Sequence, residues 1–425
     1  MSKLAFFRQS GWMVIATTAG GALMWLVHYV TNRSMPEAEY GVFTTLLQVL
    51  NIMTIPAIGL QLTFVQQSAT AEDEAARARL AGTARALLKG TFLLWLAGVA
   101  AVWLFQRQIL ADYKIAYPGA LWALVALGLT SLWSPVFMGI LQGRQNFLWL
   151  GSASILNGAT RFGTAILFVA LLSMNSTGAM LAAVLGMVVA MAIAASQIRD
   201  VFTGPSTRFD WAAWLKRATP VTLGYGAATL VLAMDMIVVQ KFFPDGKENG
   251  IYGAAGTIGR AVFFFLAPMT TVMFPKVAQS AARSENSSVL MQAMGATAFM
   301  GVGAALCCTF LAELPFRIGY KPEYAPAAKL LPLFAWCMLP LPLANVLVNN
   351  LLARERYGVV PWLVAIAAAY YFALNHVAQI QPQRFENIIW TLGGFGLLLL
   401  LVCLVYTWQD FRRLKAGATL QSVNA

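Results

Sequence analysis

The sequence predicts an all-α integral membrane protein of about twelve transmembrane helices, arranged as two six-helix lobes related by a pseudo-two-fold axis along the membrane normal. An apolar composition, apolar windows of helical length and a pattern written twice predict it. Of 425 residues, 59% are apolar and only 11% charged, with a mean hydropathy of +0.67. A soluble domain carries about 25% charged residues, so this chain has too few to cover a water-facing surface. In lipid each segment must satisfy its own backbone N–H and C=O groups, so apolar runs of this length are helices.

The first six windows fall near 11–31, 41–64, 90–105, 119–142, 147–173 and 177–197. The second six fall near 219–243, 250–275, 289–312, 326–351, 358–375 and 388–407. Gly11 to Thr31 is too long for a signal-peptide core and lacks a small-x-small cleavage site, so it reads as a retained span. The third window is short, and the segment before it, "TAEDEAARARLAGTARALLKG" (70–90), reads as a solvated amphipathic helix. Between windows six and seven, "GPSTRFDWAAWLKR" reads as a linker leading into an interfacial stretch, with Trp211 and Trp214 at the headgroup level. The division expected is therefore 1–197 for the N-terminal lobe, 198–218 for a cytoplasmic linker, 219–407 for the C-terminal lobe and 408–425 for a cytoplasmic tail. No loop is long enough for a separate soluble domain.

Orientation follows from the basic residues. With the N-terminus inside, inner segments hold 18 Lys/Arg, outer segments hold nine, and two (Arg161 and Arg260) lie within spans. The positive-inside rule then places both termini in the cytoplasm. This asymmetry accounts for most of the net charge of +12, and no nucleic-acid partner is needed to explain it. The four cysteines lie in apolar runs without metal or redox spacing, and no cofactor motif is present. His28 and His376 stand near membrane edges and read as structural.

The repeat is visible without gaps. Residues 39–69 laid over 251–281 bring Tyr40-Gly41 onto Tyr252-Gly253, Pro56 onto Pro268, and Gln67-Ser68-Ala69 onto Gln279-Ser280-Ala281, all at an offset of 212. A weaker echo pairs "LQGRQNF" (141–147) with "LLARERY" (351–357) at an offset of 210. An even number of spans per copy makes both enter from one side, which gives the axis along the membrane normal. Such two-lobed transporters bind substrate between the lobes and rock about it.

These residues carry a family resemblance. The Tyr-Gly after span one, the proline late in span two, "GLQ" with "QSA", and "D…IVVQKFF…GIYGAAGTIGR…MFPKVAQSA" resemble bacterial polysaccharide flippases. That family, which includes O-antigen flippases, belongs to the multidrug/oligosaccharidyl-lipid/polysaccharide exporter superfamily. The resemblance implies a bacterial inner-membrane protein for surface-polysaccharide synthesis, including lipopolysaccharide. It would carry a lipid-linked oligosaccharide, usually on undecaprenyl pyrophosphate, from the inner to the outer leaflet. Membrane lipids, a glycan polymerase and glycosyltransferases are the implied partners.

Polar residues recur within spans at steps of three and four, which place each set on one helix face. Span two carries Thr44, Gln48, Asn51 and Thr54, and span five carries Ser154, Asn157, Arg161 and Thr164. Both stripes are longer than interhelical hydrogen bonding requires and read as the lining of a wet cavity. Asn345 and Asn349 in span ten read as interhelical bonding. Arg260 shares a face with Gly253, Gly256 and Thr257, and corresponds to Gln48 under the 212 offset. Two readings of it stand. It pairs with Asp235, the one acid within a span, or it faces the substrate; both hold if the carboxylate keeps the guanidinium until an anion displaces it. Arg161 has no acid in any span, which leaves it for an anion or a backbone carbonyl.

The substrate-binding candidates are thus Arg260, Arg161, Gln48, Asn51 and Asn157, with Asp235 as a coupling or charge-pair residue. Guanidinium pairs bidentately with phosphate, so two arginines against one aspartate suit an anionic substrate. A cation-coupled drug exporter needs membrane carboxylates and is the runner-up. A membrane glycosyltransferase or polymerase needs acids gathered at one face, and none stand out, so no enzyme is expected.

Overall fold

The computed structural model describes residues 3–69, 71, 73–263, 288–380 and 384–423. Among these the chain is helical, with no strand. Among the described residues, ten helical segments are long and apolar enough to cross a membrane. The helix α1 (Lys3–Ser34) covers the first expected span, and α10 (246–263) the described part of the eighth. Pro268 and Gln279-Ser280-Ala281, half of the repeat, lie outside the described residues. This is a multi-pass, all-α membrane fold.

The chain divides into two compact units, Met1–Ala218 and Thr219–Ala425. The first holds α1, α2 (Glu37–Met53), α3 (Ile55–Ala69), α4 (Glu74–Asp112), α5 (Pro118–Gly143), α6 (Phe147–Ala165), α7 (Asn175–Gln197) and α8 (Arg199–Thr203). The boundary falls inside α9 (Trp211–Phe242). The second unit continues with α10, α11 (Ser288–Phe310), α12 (Leu314–Gly319), α13 (Ala327–Met338), α14 (Pro340–Ala353), α15 (Val360–Ile380) and α16 (Phe385–Val423).

Several spans are broken where the sequence supplies a reason. Span two is two helices, because Pro56 has no N–H for the continuing ladder and Thr54 caps α2 instead. Span ten breaks the same way at Pro340. Span five ends in a π-helical turn, Ile166–Leu171.

Other boundaries differ from the expectation. The amphipathic segment and span three are one helix, α4, of 39 residues, started by Asp73 accepting from the Ala76 N–H at 2.6 Å. At ~1.5 Å per residue α4 is ~58 Å long, against a hydrocarbon core of ~30 Å, so its first part stands clear of the apolar layer. A single glycine, Gly90, does not stop a helix whose neighbours are strong helix formers.

Residues 198–214 do not run free. Ile198 and Val201 belong to a buried cluster with Leu60, Phe64, Leu87 and Ile140, against which Phe202, Phe209 and Trp214 pack. Arg85 on α4 donates to the carbonyls of Phe202 at 2.9 Å and Gly204 at 2.5 Å, and the Thr207 N–H donates to the Ala78 carbonyl at 3.1 Å. Two glycines on α4 make room: a Cβ on Gly82 would lie 2.2 Å from the Thr207 carbonyl oxygen, and one on Gly90 2.4 Å from the Trp211 ring.

The weaker echo at offset 210 is a duplicated turn. After α5, Arg144-Gln145-Asn146 makes backbone bonds to Ile140, Gln142 and Leu141; after α14, Arg354-Glu355-Arg356 makes them to Asn350, Leu352 and Leu351. Gln145 and Glu355 both sit in the left-handed region, at φ 57° and 56°. Each turn ends on an ion pair, Arg144 with Asp200 at 2.6 Å and Arg354 with Asp410 at 3.8 Å, and the two aspartates are again 210 residues apart.

Candidate functional site

In the first unit the polar stripe of α6 contacts α1 and α7. Arg161 is 9% exposed, and its Nε is buried without a hydrogen-bond partner. Among the described residues no carboxylate or carbonyl engages it. Asn157, one helical turn earlier, makes only a long contact to the Met187 sulfur at 3.8 Å and leaves its Oδ1 buried and unpartnered. Both side chains fit because α7 presents Gly186 to them: a Cβ there would come within 2.6 Å of Asn157 Oδ1. His28 on α1 lies within electrostatic reach of Arg161, and its Nδ1 is 3.1 Å from the Tyr40 hydroxyl.

The stripe on α2 is largely satisfied within its own helix. Asn51 donates to Gln48 Oε1 at 3.1 Å, and Thr44 and Thr54 bond back to the carbonyls of Gly41 and Asn51. Gln48 is buried.

The second unit builds the opposite arrangement. Arg260, 3% exposed, donates from Nη2 to Asp235 Oδ1 at 2.5 Å and from Nε to the Leu232 carbonyl at 3.1 Å. The other carboxylate oxygen accepts from the Tyr252 hydroxyl at 2.8 Å, and Asp235 is fully buried. Gly256, one turn before Arg260, allows the guanidinium to fold back over the helix, since a Cβ there would lie 2.5 Å from Nη1. The Tyr370 hydroxyl, buried and without a partner, is close enough to sense both charges. In span ten, Asn349 donates to the Asn345 carbonyl at 2.7 Å and accepts from Tyr225 on α9, so it does bond between helices.

The structure therefore joins Arg260 to Asp235, sets Arg161 beside Asn157, and links Gln48 to Asn51. Sequence reasoning missed Tyr252 and Tyr370 beside the charge pair, and read His28 as structural. Tyr252 stood in the quoted Tyr-Gly motif, but nothing in its spacing said that its hydroxyl reaches a carboxylate 17 residues earlier.

One arginine is neutralised and one is not. A buried guanidinium beside a free amide oxygen offers donors to an anion and an acceptor to a hydroxyl. An acidic sugar presents both, and a sugar phosphate does so through its phosphate and its sugar hydroxyls.

The family described as "Polysaccharide biosynthesis protein" matches residues 6–281. The chain belongs to that family. No curated protein sequence matches it significantly. Solved structures share its fold. This chain superposes on an inward-facing multidrug resistance MATE family transporter of the MOP superfamily with a TM-score of 0.73 at 11% identity, covering 95% of this chain and 98% of that one. The lipid II flippase MurJ, in an inward closed conformation, gives 0.69 at 14% identity, over 97% of this chain and 91% of its own. A MOP superfamily transporter from Pyrococcus furiosus, described as having a binding pocket of reversed polarity, gives 0.68 at 14% identity, over 97% and 96%. The chain thus has the fold of these MOP-superfamily transporters and of the lipid II flippase.

Proposed function

We propose that this protein is a flippase in the bacterial inner membrane. It moves an anionic lipid-linked oligosaccharide, of the undecaprenyl-pyrophosphate type, from the inner to the outer leaflet for surface-polysaccharide synthesis. Its two halves, with both termini cytoplasmic, alternate access to the substrate. The observation that carries the reading is Arg161, which has no partner among the described residues: such a cation inside an apolar span is tolerated where it meets water or an anion. Arg161 holds the carrier phosphate or an acidic sugar, Asn157 takes a hydroxyl, and Gln48 and Asn51 supply neutral polar contacts. Arg260 is held by Asp235 and contributes its charge only when an anion displaces that carboxylate. A glycan polymerase or glycosyltransferases supply or consume the cargo.

Cation-coupled drug export is the second reading, since the MATE neighbours are multidrug transporters. It needs a free membrane carboxylate, and both oxygens of Asp235 are already engaged.

The test is glycan export in cells carrying Arg161→Lys or Arg161→Gln, with membrane protein level measured alongside. Lysine keeps the charge and loses the planar fork, so partial export is expected; glutamine should reduce export at least ~10-fold, the factor for ~1.4 kcal/mol. Protein level should not fall, because removing an unpaired buried charge relieves a desolvation cost. Wild-type export by a normally expressed Arg161→Gln protein refutes the assignment.

A further inference from the structure

We infer that the turn after α14 is an anion-binding site that takes a phosphate group, built from Arg354, Arg356 and Thr407. The argument starts from the two copies of the turn. In the first, one arginine faces one aspartate, and the pair is open to solvent, Arg144 at 30% and Asp200 at 61% exposed. In the second, Arg356 stands where the first copy has Asn146, so two guanidiniums converge on one carboxylate. The second pair is also enclosed, with the Arg354 side chain 5% and Asp410 6% exposed.

Enclosure and surplus charge together leave needs that the protein does not meet. Arg354 reaches Asn350 Oδ1 from Nε at 3.4 Å and Asp410 from Nη1 at 3.8 Å, but its Nη2 is buried with no partner. Thr407, three residues before Asp410 and hence on the same face of α16, has a buried hydroxyl with no partner. Arg356, 44% exposed, brings Nε to 2.6 Å from Asp410 Oδ1, an oxygen that receives no directed hydrogen bond, so the contact is ionic. Orphaned donors within a net positive cluster mark the place of an acceptor-rich group. A tetrahedral phosphate matches two guanidinium forks and a hydroxyl donor. Nearby charges do not cancel the surplus: Glu355 is at the exposed tip of the turn, and Arg412 stacks over the Trp408 ring at 3.6 Å.

The phosphate can come from an anionic phospholipid headgroup, whose charge no choline group offsets, or from solution. The inner basic segments expected from the sequence include this turn, which sets it at the level of lipid phosphates. The site is separate from Arg161 and its test needs no transport.

Thermal melting of the purified full-length protein decides the question. One arm titrates inorganic phosphate in detergent against chloride at matched ionic strength. The other compares nanodiscs of phosphatidylcholine with nanodiscs containing phosphatidylglycerol. The wild type should melt higher in phosphate if the source is solution, and only with phosphatidylglycerol if it is lipid. Arg356→Asn copies the first unit's turn and keeps the Arg354–Asp410 pair. It should weaken the response about tenfold in half-saturating concentration, or abolish the lipid-dependent shift. Thr407→Val, which leaves every charge in place, should weaken it to a smaller degree, and Arg144→Gln in the first unit should not. A wild type that responds in neither arm overturns the site, as does an undiminished response in both Arg356→Asn and Thr407→Val.

Discussion

Replacing Asp235 by asparagine removes one charge and almost no volume, at a position with no access to water. Arg260 would then keep its bond to the Leu232 carbonyl and lose its counter-charge, while remaining 97% buried by the exposure of 3% in the wild type. Taking one partner from a buried pair costs about 3–5 kcal/mol, because the survivor is left as an uncompensated charge. Asparagine Oδ1 still accepts one bond, from Tyr252 or from the guanidinium, so the lower end, ~3 kcal/mol, is the working figure. That is about two orders of magnitude in the folded-to-unfolded ratio. For a unit the size of Thr219–Ala425 it lowers Tm by roughly 6–12 °C. The assay is the melting temperature of purified protein together with its level in membranes. Arg260→Gln should fall comparably, since it strands Asp235 with only Tyr252, and the double variant Asp235→Asn/Arg260→Gln should recover more than half of either loss. An Asp235→Asn protein that melts within about 1 °C of wild type, a shift worth well under 1 kcal/mol, would show that the pair is not holding α9 to α10.

Two further outcomes follow from the first unit. Gly82→Ala places a methyl 2.2 Å from the backbone oxygen of Thr207, so residues 204–210 should lift from α4 and become cleavable by added protease; unchanged cleavage means the segment is held elsewhere. The Arg144 hydrogen bond holds the Asp200 carboxyl below its usual range. A depressed carboxylate stabilises the fold above its unfolded pKa, ~3.9, and that stability is lost as pH falls through the folded value. Asp200 is 61% exposed, so the pair is worth at most ~1 kcal/mol. Wild type and Asp200→Asn should therefore differ slightly in Tm at pH 7 and converge in strong acid; a gap that widens on acidification contradicts this sign.

Much of the fold was legible in the sequence. Hydropathy located the spans because a bilayer admits no charged surface, and helical periodicity put Asn157 and Arg161 on one face. The breaks at Pro56 and Pro340 were not foreseen, because a proline does not by itself stop a helix: Pro135, Pro220 and Pro332 lie inside continuous ones. Less legible was the length of α4, where the fall in hydropathy at residue 90 marks the edge of the apolar layer and not the end of a helix.

The sequence by itself determined that this chain lives in a membrane, that one pattern occurs twice in it, and that its spans carry Arg161, Arg260 and Asp235. Each of these depends on residue type and local period. Tertiary structure decided which charges are answered. Arg260 meets Asp235 across 25 residues, Arg354 meets Asp410 across 56, and Arg161 meets no acid among the described residues. Period fixes which residues share a helix face, but not the rotation of that helix against its neighbour. A turn of one residue, ~100°, would carry a guanidinium away from its carboxylate. The packing of Gly186 on α7 against Asn157 on α6 fixes one such rotation, because an added methyl group there would collide with the amide; Gly256, on the same helix as Arg260, instead leaves room for the guanidinium to fold back.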